Sequence, residues 1–175
     1  MQEQIAQNLT EKKYEAAFNI IVKSYSQRLY WHIRRLVLEH DDADDVLQNT
    51  YIKIWRALPN FRQDSNIYTW LYRIATNESL SFLRSKKENT RFDAVEYSVS
   101  HNLEADAFFD GDDAQAKLYE AVATLPDKQQ AVFNARYFDE LSYAEMSSVF
   151  ETSEGALKAS YHHAVKKIET YLKED

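Results

Sequence analysis

The 175 residues include no cysteine, two glycines and two prolines. Without cysteine there is no disulfide framework and no thiolate metal site. Tight turns and hairpins draw on glycine and proline, so their scarcity argues against a β-rich fold and for a helical one. No apolar run approaches the roughly 20 residues that cross a bilayer. The opening segment MQEQIAQNLTEKKYEAAF is polar and mixed in charge, unlike a secretion signal. These features together read as a cytoplasmic protein. Hydrophobic residues make up 45% of the chain, enough for the core of one ordinary domain or two small ones.

Positive charge is also in deficit. Lys and Arg number 21 against 28 Asp and Glu, a formal net charge of -7. That total counts against a free-standing DNA binder, which usually carries a basic field. The distribution is more informative than the sum. From Lys53 to Arg91 there are eight basic residues and three acidic ones, whereas from Asp93 to Glu120 eight acids face Lys117 alone. Segregation of this kind predicts separate surfaces with separate partners.

The apolar pattern is helical. Tyr14, Phe18, Ile21, Tyr25 and Leu29 recur at three- and four-residue steps, predicting a helix from Lys13 to Glu39. The acidic run Asp41 to Asp45 suits a first helical turn, where carboxylates face the positive end of the helix dipole. That second helix carries Leu47, Tyr51, Ile54 and Leu58 and ends before Pro59. Residues 60–66 read as a loop. A third helix follows from Ile67 to Lys86, with Trp70, Leu71, Ile74, Leu80 and Leu83 as core; Tyr68 stays open between core and an exposed stacking platform. Periodicity then fades into an acidic stretch. Beyond it, one helix runs through Leu118, Val122 and Leu125, and Pro126 is expected in the first turn of the next. Ser142 and Glu145 form a capping box, which starts a short helix to Phe150. The turn Glu151-Thr152-Ser153 and a helix from Glu154 to Leu172 complete the spacing of a helix-turn-helix. Leu157, Tyr161, Ala164 and Ile168 make the buried stripe of that last helix; Lys158, Ser160, His163, Lys166 and Lys167 lie opposite. The fold class is therefore all-α, in two small helical domains, 1–90 and 114–175, joined by an acidic linker, 91–113.

Two strings in this order resemble a known family. DDADDVLQNTYIKIWRALPNFR followed by YTWLYRIATNESLSFLR resembles region 2 of the sigma-70 family of transcription initiation factors. LPDKQQAVFNARYFDELSYAEMSSVFETSEGALKASYHHAVKKIE resembles region 4. No third domain lies between them, the layout of the extracytoplasmic-function subgroup. The resemblance implies a sigma region 2 helical bundle that binds core RNA polymerase and reads the promoter -10 element, and a sigma region 4 helix-turn-helix that reads -35. On region 2 it implies that Asp45, Gln48, Asn49, Ile52 and Trp55 dock on the β′ clamp helices. Asn49 stands where the family often has an acid. It implies that Arg62, Asn66 and Ile67 frame a pocket for a flipped base, and that Arg73, Asn77, Ser81, Arg84 and Lys86 hold the melted strand. The chemistry suits that task, since amide and aromatic groups hold an extruded base and cations hold its backbone. On region 4, which also meets the β flap, it implies -35 contacts by Ser153, Glu154, Gly155, Lys158, Ser160, His163, Lys166 and Lys167. Ser160, His163 and Val165 replace frequent arginines, so polymerase tethering is expected to supply much of the DNA affinity. The linker would thread the polymerase channel that later carries RNA. An anti-sigma factor is the expected regulator, and no small-molecule substrate, cofactor or metal is expected.

Two other classes compete. Asp41-Asp42-x-x-Asp45 matches a magnesium-holding DDxxD motif of isoprenoid synthases, but the chain is short for such a bundle and has no second acidic motif. No nucleophile triad or phosphate loop is present, so no catalytic residues are expected. A helix-turn-helix regulator that works without polymerase would account for residues 114–175 but has no use for the first block.

Overall fold

Repeats of 3.6-residue periodicity with almost no glycine or proline favour helices, and in the computed structural model, which describes residues 1–89 and 111–174, every regular element is helical. Among the described residues eight α-helices follow in order: α1 (Gln2–Thr10), α2 (Tyr14–Val37), α3 (His40–Ala57), α4 (Ile67–Asn89), α5 (Asp113–Ala123), α6 (Asp127–Tyr137), α7 (Tyr143–Phe150) and α8 (Glu154–Glu174). A single 3-10 turn, Leu58–Asn60, closes α3 at Pro59. Most of the acidic linker falls outside the described residues. Its last part belongs to the second half: Asp112 caps α5 by accepting the Gln115 N–H at 2.9 Å, and Asp113 is already helical.

The expected boundaries hold within a few residues, with two corrections. α1 precedes the first helix read from the sequence. Its burial rests on Ile5 and Leu9 alone, too few positions to make a visible period. Pro126 sits one residue outside its helix, as N-cap with extended ψ of 144°, and its carbonyl accepts the Gln130 N–H at 2.9 Å. Its ring still removes a donor that the helix end would leave unpaired.

Scarcity of glycine has a local consequence. The chain reverses through left-handed residues that carry side chains: Lys12, Leu38, Gln63, Glu140 and Glu151 all have φ between 51° and 69°. At Leu38 the conformation is locked. Its N–H bonds the Arg34 carbonyl at 3.0 Å, and the buried Arg34 guanidinium donates back to the Leu38 carbonyl. Glu151, in the turn between α7 and α8, is exposed. A left-handed residue with a Cβ costs roughly 1–2 kcal/mol, partly offset by the unfolded-state entropy that glycine adds. Glu151→Gly is therefore expected to stabilise the chain by about 0.5–1 kcal/mol, read as a higher urea midpoint at unchanged slope.

Helices α1 to α4 pack around Ile21, Leu29, Ile33, Leu36, Ile54, Leu58 and Leu71, all essentially without exposure. The buried Thr50 hydroxyl donates to the Val46 carbonyl at 2.7 Å and the buried Ser79 hydroxyl to the Ala75 carbonyl at 2.9 Å, each in the preceding turn. Helices α5, α6 and α8 enclose a smaller cluster of Val122, Leu125, Phe133, Ala164 and Ile168. The first core does not stop at the domain boundary. Ala131, Val132, Ala135, Leu141, Met146, Val149 and Leu157 of the second half belong to the same continuous apolar cluster. α4 lies against α6 and α7, and α2 against α5 and α6.

Candidate functional site

Three surfaces carry the expected residues. On α3, Asp45, Gln48, Asn49, Ile52 and Trp55 are all exposed. They recur at three- and four-residue steps and so share one face. Burial of Ala43, Val46, Thr50 and Ile54 turns the opposite face inward. Ile52 and Trp55 keep 45% and 46% of their surface in solvent, beside a few other large apolar side chains that do so among the described residues. Trp55 is not loose: its ring meets Phe18 of α2 edge-on at 5.4 Å. Two acids at the start of α3, Glu39 before it and Asp42 in its first turn, tie it to α4. Asp42 and Glu39 each hold the Lys86 ammonium at 2.6 Å, and although burial opposes it, these carboxylates raise the Lys86 pKa above its ordinary value.

The second surface is the loop after α3 and the outer face of α4. Arg62, Asn66, Asn77, Ser81 and Arg84 are exposed and Arg73 is half-buried. Asn66 is engaged in starting α4, its side-chain oxygen accepting the Tyr68 N–H at 2.9 Å. Ile67 corrects the sequence reading: only 6% exposed, it packs in the core and cannot line an open base pocket with its side chain. Lys86 is likewise engaged in its two ion pairs. Tyr68 resolves as core. It is 7% exposed, its ring lies near-parallel to Tyr25 at 5.7 Å, and the Arg28 guanidinium covers it at 4.1 Å. Trp70 is half-buried against Phe61 at 4.7 Å. Between α3 and α4 a cleft of about 380 Å³ is lined by Lys53, Arg56, Ile74 and Asn77, with the Lys53–Glu78 ion pair bridging the two helices.

The third surface is the helix-turn-helix. The capping box closes as expected, the Ser142 N–H donating to Glu145 at 2.8 Å and the Glu145 N–H to the Ser142 hydroxyl at 3.2 Å. Ser153 caps α8 by accepting the Ala156 N–H at 3.2 Å. A side chain at Gly155 would meet open space, so this helix start is unobstructed. Leu157, Ala164 and Ile168 face inward; Lys158, His163, Lys166 and Lys167 face out, with Ser160 half-buried. Lys158 rests over the Tyr143 ring at 5.4 Å and Lys167 donates to Gln129 at 3.0 Å.

A fourth constellation had no signal in the sequence. Asp139, just past α6, inserts between the two halves with a side chain 6% exposed. It accepts from Arg35 of α2 at 2.9 Å and from the Tyr72 hydroxyl of α4, and lies 3.4 Å from His32 Nδ1. His32, fully buried, meets the Thr76 hydroxyl through Nε2 at 2.8 Å. Burial would raise the Asp139 pKa, yet His32, Arg35 and Tyr72 hold it below the usual carboxylate value. Burial lowers the His32 pKa despite that carboxylate. Beside this cluster the Gln130 and Asn134 amides of α6 donate to the Arg35 carbonyl, at 2.9 and 3.4 Å. That carbonyl lies in the last turn of α2, where intrahelical partners run out.

The two halves match known families separately. The profile described as Sigma-70 region 2 matches residues 21–89, and that of Sigma-70, region 4 matches residues 115–168. The RNA polymerase sigma-H factor of Pseudomonas aeruginosa is 30% identical over 166 residues, covering 89% of this chain and 86% of the relative. The ECF RNA polymerase sigma-E factor of Salmonella typhimurium is 26% identical over 177 residues, covering 95% and 92%. Among solved structures, the sigma factor RpoE in complex with the anti-sigma factor NepR from Bartonella quintana superposes with a TM-score of 0.73, covering 90% of this chain and 98% of that one at 22% identity. CnrH in complex with the cytosolic domain of CnrY gives 0.74, covering 99% and 97%, also at 22%. The chain belongs to the sigma-70 family of RNA polymerase sigma factors, in the extracytoplasmic-function subfamily. Members of that family bind core polymerase and direct promoter recognition, DNA melting and initiation; they are not themselves catalysts. A helix-turn-helix regulator working alone leaves the region 2 match unexplained. Among the described residues no helix is long and apolar enough to cross a membrane.

Proposed function

We propose that the chain is an alternative sigma factor, working in the cytoplasm, whose α3 face docks on the β′ clamp helices of core polymerase. In the same reading the outer face of α4 holds the melted -10 strand through Arg73, Asn77, Ser81 and Arg84. α8 reads -35 through Lys158, Ser160, His163 and Lys166, with Ser153 to Gly155 at a phosphate and region 4 near the β flap. The observation that carries it is the α3 stripe. Ile52 and Trp55 stay exposed on a helix whose other face is well buried, and charged and amide groups surround them. Buried aromatic anchors within a polar rim are what protein interfaces use. An anti-sigma factor is the regulator this reading expects, because the sigma factor RpoE of Bartonella quintana, similar in fold, was captured with one.

The test separates the surfaces. Asp45→Ala combined with Gln48→Ala is expected to weaken core polymerase binding about tenfold or more, with helicity unchanged because both side chains are exposed. Asn77→Ala is expected to bind core normally and to lose strand opening, read by permanganate reactivity of thymines in the -10 region. Normal core binding by the double variant would remove α3 from the interface.

A further inference from the structure

A cleft bounded by α4, α6 and the helix-turn-helix is built like a ligand site. Its volume of about 490 Å³ falls within the roughly 300–1,000 Å³ of small-molecule pockets, which join an apolar lining to a few convergent polar groups. Leu80, Val132, Phe150 and Leu157 supply apolar wall. Two cations reach the cleft from different helices, Arg84 of α4 and Lys128 of α6, and among the described residues no carboxylate lines it. The Asn77 amide and the Thr152 and Ser160 hydroxyls complete the polar set.

These polar groups are largely unspent. Lys86 and Lys87, which follow Arg84 closely on α4, hold carboxylates at 2.6 Å. Arg84 and Lys128 hold none, and among the described residues the Asn77 and Ser160 side chains have no hydrogen-bond partner either. An adjoining cleft of about 380 Å³ shares Arg84 and Lys128 but is also lined by Glu88 and Asp127, so an anion is drawn to the inner cleft and not to that one. Two cations suit phosphate oxygens, where charge-assisted hydrogen bonds are strongest. Amide and aromatic groups hold a base that has left its stack, and they hold the base of a free nucleotide by the same contacts. We propose that this cleft binds a nucleoside diphosphate, with Arg84 and Lys128 on the phosphates, Phe150 against the base, Asn77 on the base edge and Ser160 on the ribose. The bound nucleotide covers Asn77, Arg84 and Ser160, so it competes with promoter DNA and initiation falls as its concentration rises. Competition rests on the assignment of α4 and α8 to DNA, whereas the site rests on its lining alone.

The free chain is titrated with ADP, GDP, CDP and UDP by calorimetry, with inorganic pyrophosphate and the matching nucleosides alongside. At least one nucleotide is expected to bind one-to-one, and at least tenfold more tightly than pyrophosphate or its nucleoside. Arg84→Gln and Lys128→Gln are each expected to weaken that binding at least tenfold at unchanged helicity. Lys87→Gln removes the same charge outside the cleft and is expected to change it less than threefold. No saturable binding by any of the four overturns the site. Pyrophosphate binding as tightly as the nucleotides, or equal losses from all three substitutions, reduces it to general attraction of anions and overturns it equally. A second arm measures promoter complexes formed by the chain with core polymerase. At about ten times the nucleotide's dissociation constant, competition lowers apparent promoter affinity roughly tenfold. Lys128→Gln assembled the same way is expected not to respond, which separates this site from the nucleotide site of the polymerase itself. If nucleotide binds the free chain as stated but leaves promoter affinity unchanged, the assignment of α4 and α8 to DNA fails while the site stands.

Discussion

Replacing Trp55 by alanine is expected to weaken binding to core polymerase by roughly 30-fold or more. Truncating a tryptophan at the centre of an interface costs about 2 kcal/mol or more, and each 1.4 kcal/mol is about a factor of ten. Two features of this side chain make it the anchor. It is 46% exposed in the free chain, so it has much surface left to bury. It is also held edge-on against Phe18, so little conformational freedom remains to be lost on docking. The same aromatic contact contributes about 0.5–1.5 kcal/mol to the fold, well below the expected binding loss. Equilibrium binding of labelled Trp55→Ala to core polymerase, with an unfolding curve alongside, separates the two effects. Affinity reduced less than threefold would mean that α3 docks elsewhere or not at all.

The second large effect is expected at Asp139. Asp139→Ala leaves the Arg35 guanidinium buried without its acceptor and the Tyr72 hydroxyl without its partner. Removing one member of a buried ion pair costs about 3–5 kcal/mol, a large fraction of the 5–15 kcal/mol that stabilises an ordinary domain. The chain can escape that cost by separating its halves, since opening returns Arg35 to water. The expected result is thus not wholesale loss of structure but two thermal transitions where the parent shows one. Acid is expected to act in the same direction. Asp139 faces Arg35 and His32 from α2, Tyr68 and Tyr72 from α4 and Tyr119 from α5. Both Asp139 and His32 bind protons less readily in the folded chain than in water. Stability therefore falls wherever the exposed state takes up more protons. The His32 contribution is complete above its ordinary value of about 6.5 and is lost below it; the Asp139 contribution persists until pH falls below about 4. Melting at pH 7.5 and 5.5 checks the sign: the parent loses stability at the lower pH, and His32→Phe, which carries no such proton, loses less.

The helices were legible because each carries its own signal along the chain. Ile21, Tyr25 and Leu29 recur on one face, and Ser142 with Glu145 marks a helix start within four residues. The α3 and α8 surfaces were legible for the complementary reason, since residues opposite a buried stripe must face outward. What the sequence could not display is anything made by distant residues meeting. Asp139 joins Arg35 across 104 positions, and neither residue breaks a local pattern. The burial of Ile67 was not legible because the position after a loop and the first position of a buried helix look alike until packing decides. The ion pairs of Lys86 could not be read either, because its partners, Glu39 and Asp42, lie 44 to 47 positions away. The left-handed Leu38 and Glu151 carry no glycine to announce them. The acidic total, which first weighed against DNA, fits a protein whose polymerase contact supplies part of its binding.

As a sigma factor, this chain confers promoter selection on RNA polymerase. The direct measurement is reconstitution: the purified chain and its cognate core polymerase are mixed, resolved by gel filtration, and used for run-off transcription on sheared genomic DNA with the transcript starts mapped. A one-to-one complex is predicted, with new starts that share sequence near -10 and -35 and vanish when Asp45→Ala and Gln48→Ala are introduced together. A chain that elutes apart from core polymerase and adds no new starts would contradict it.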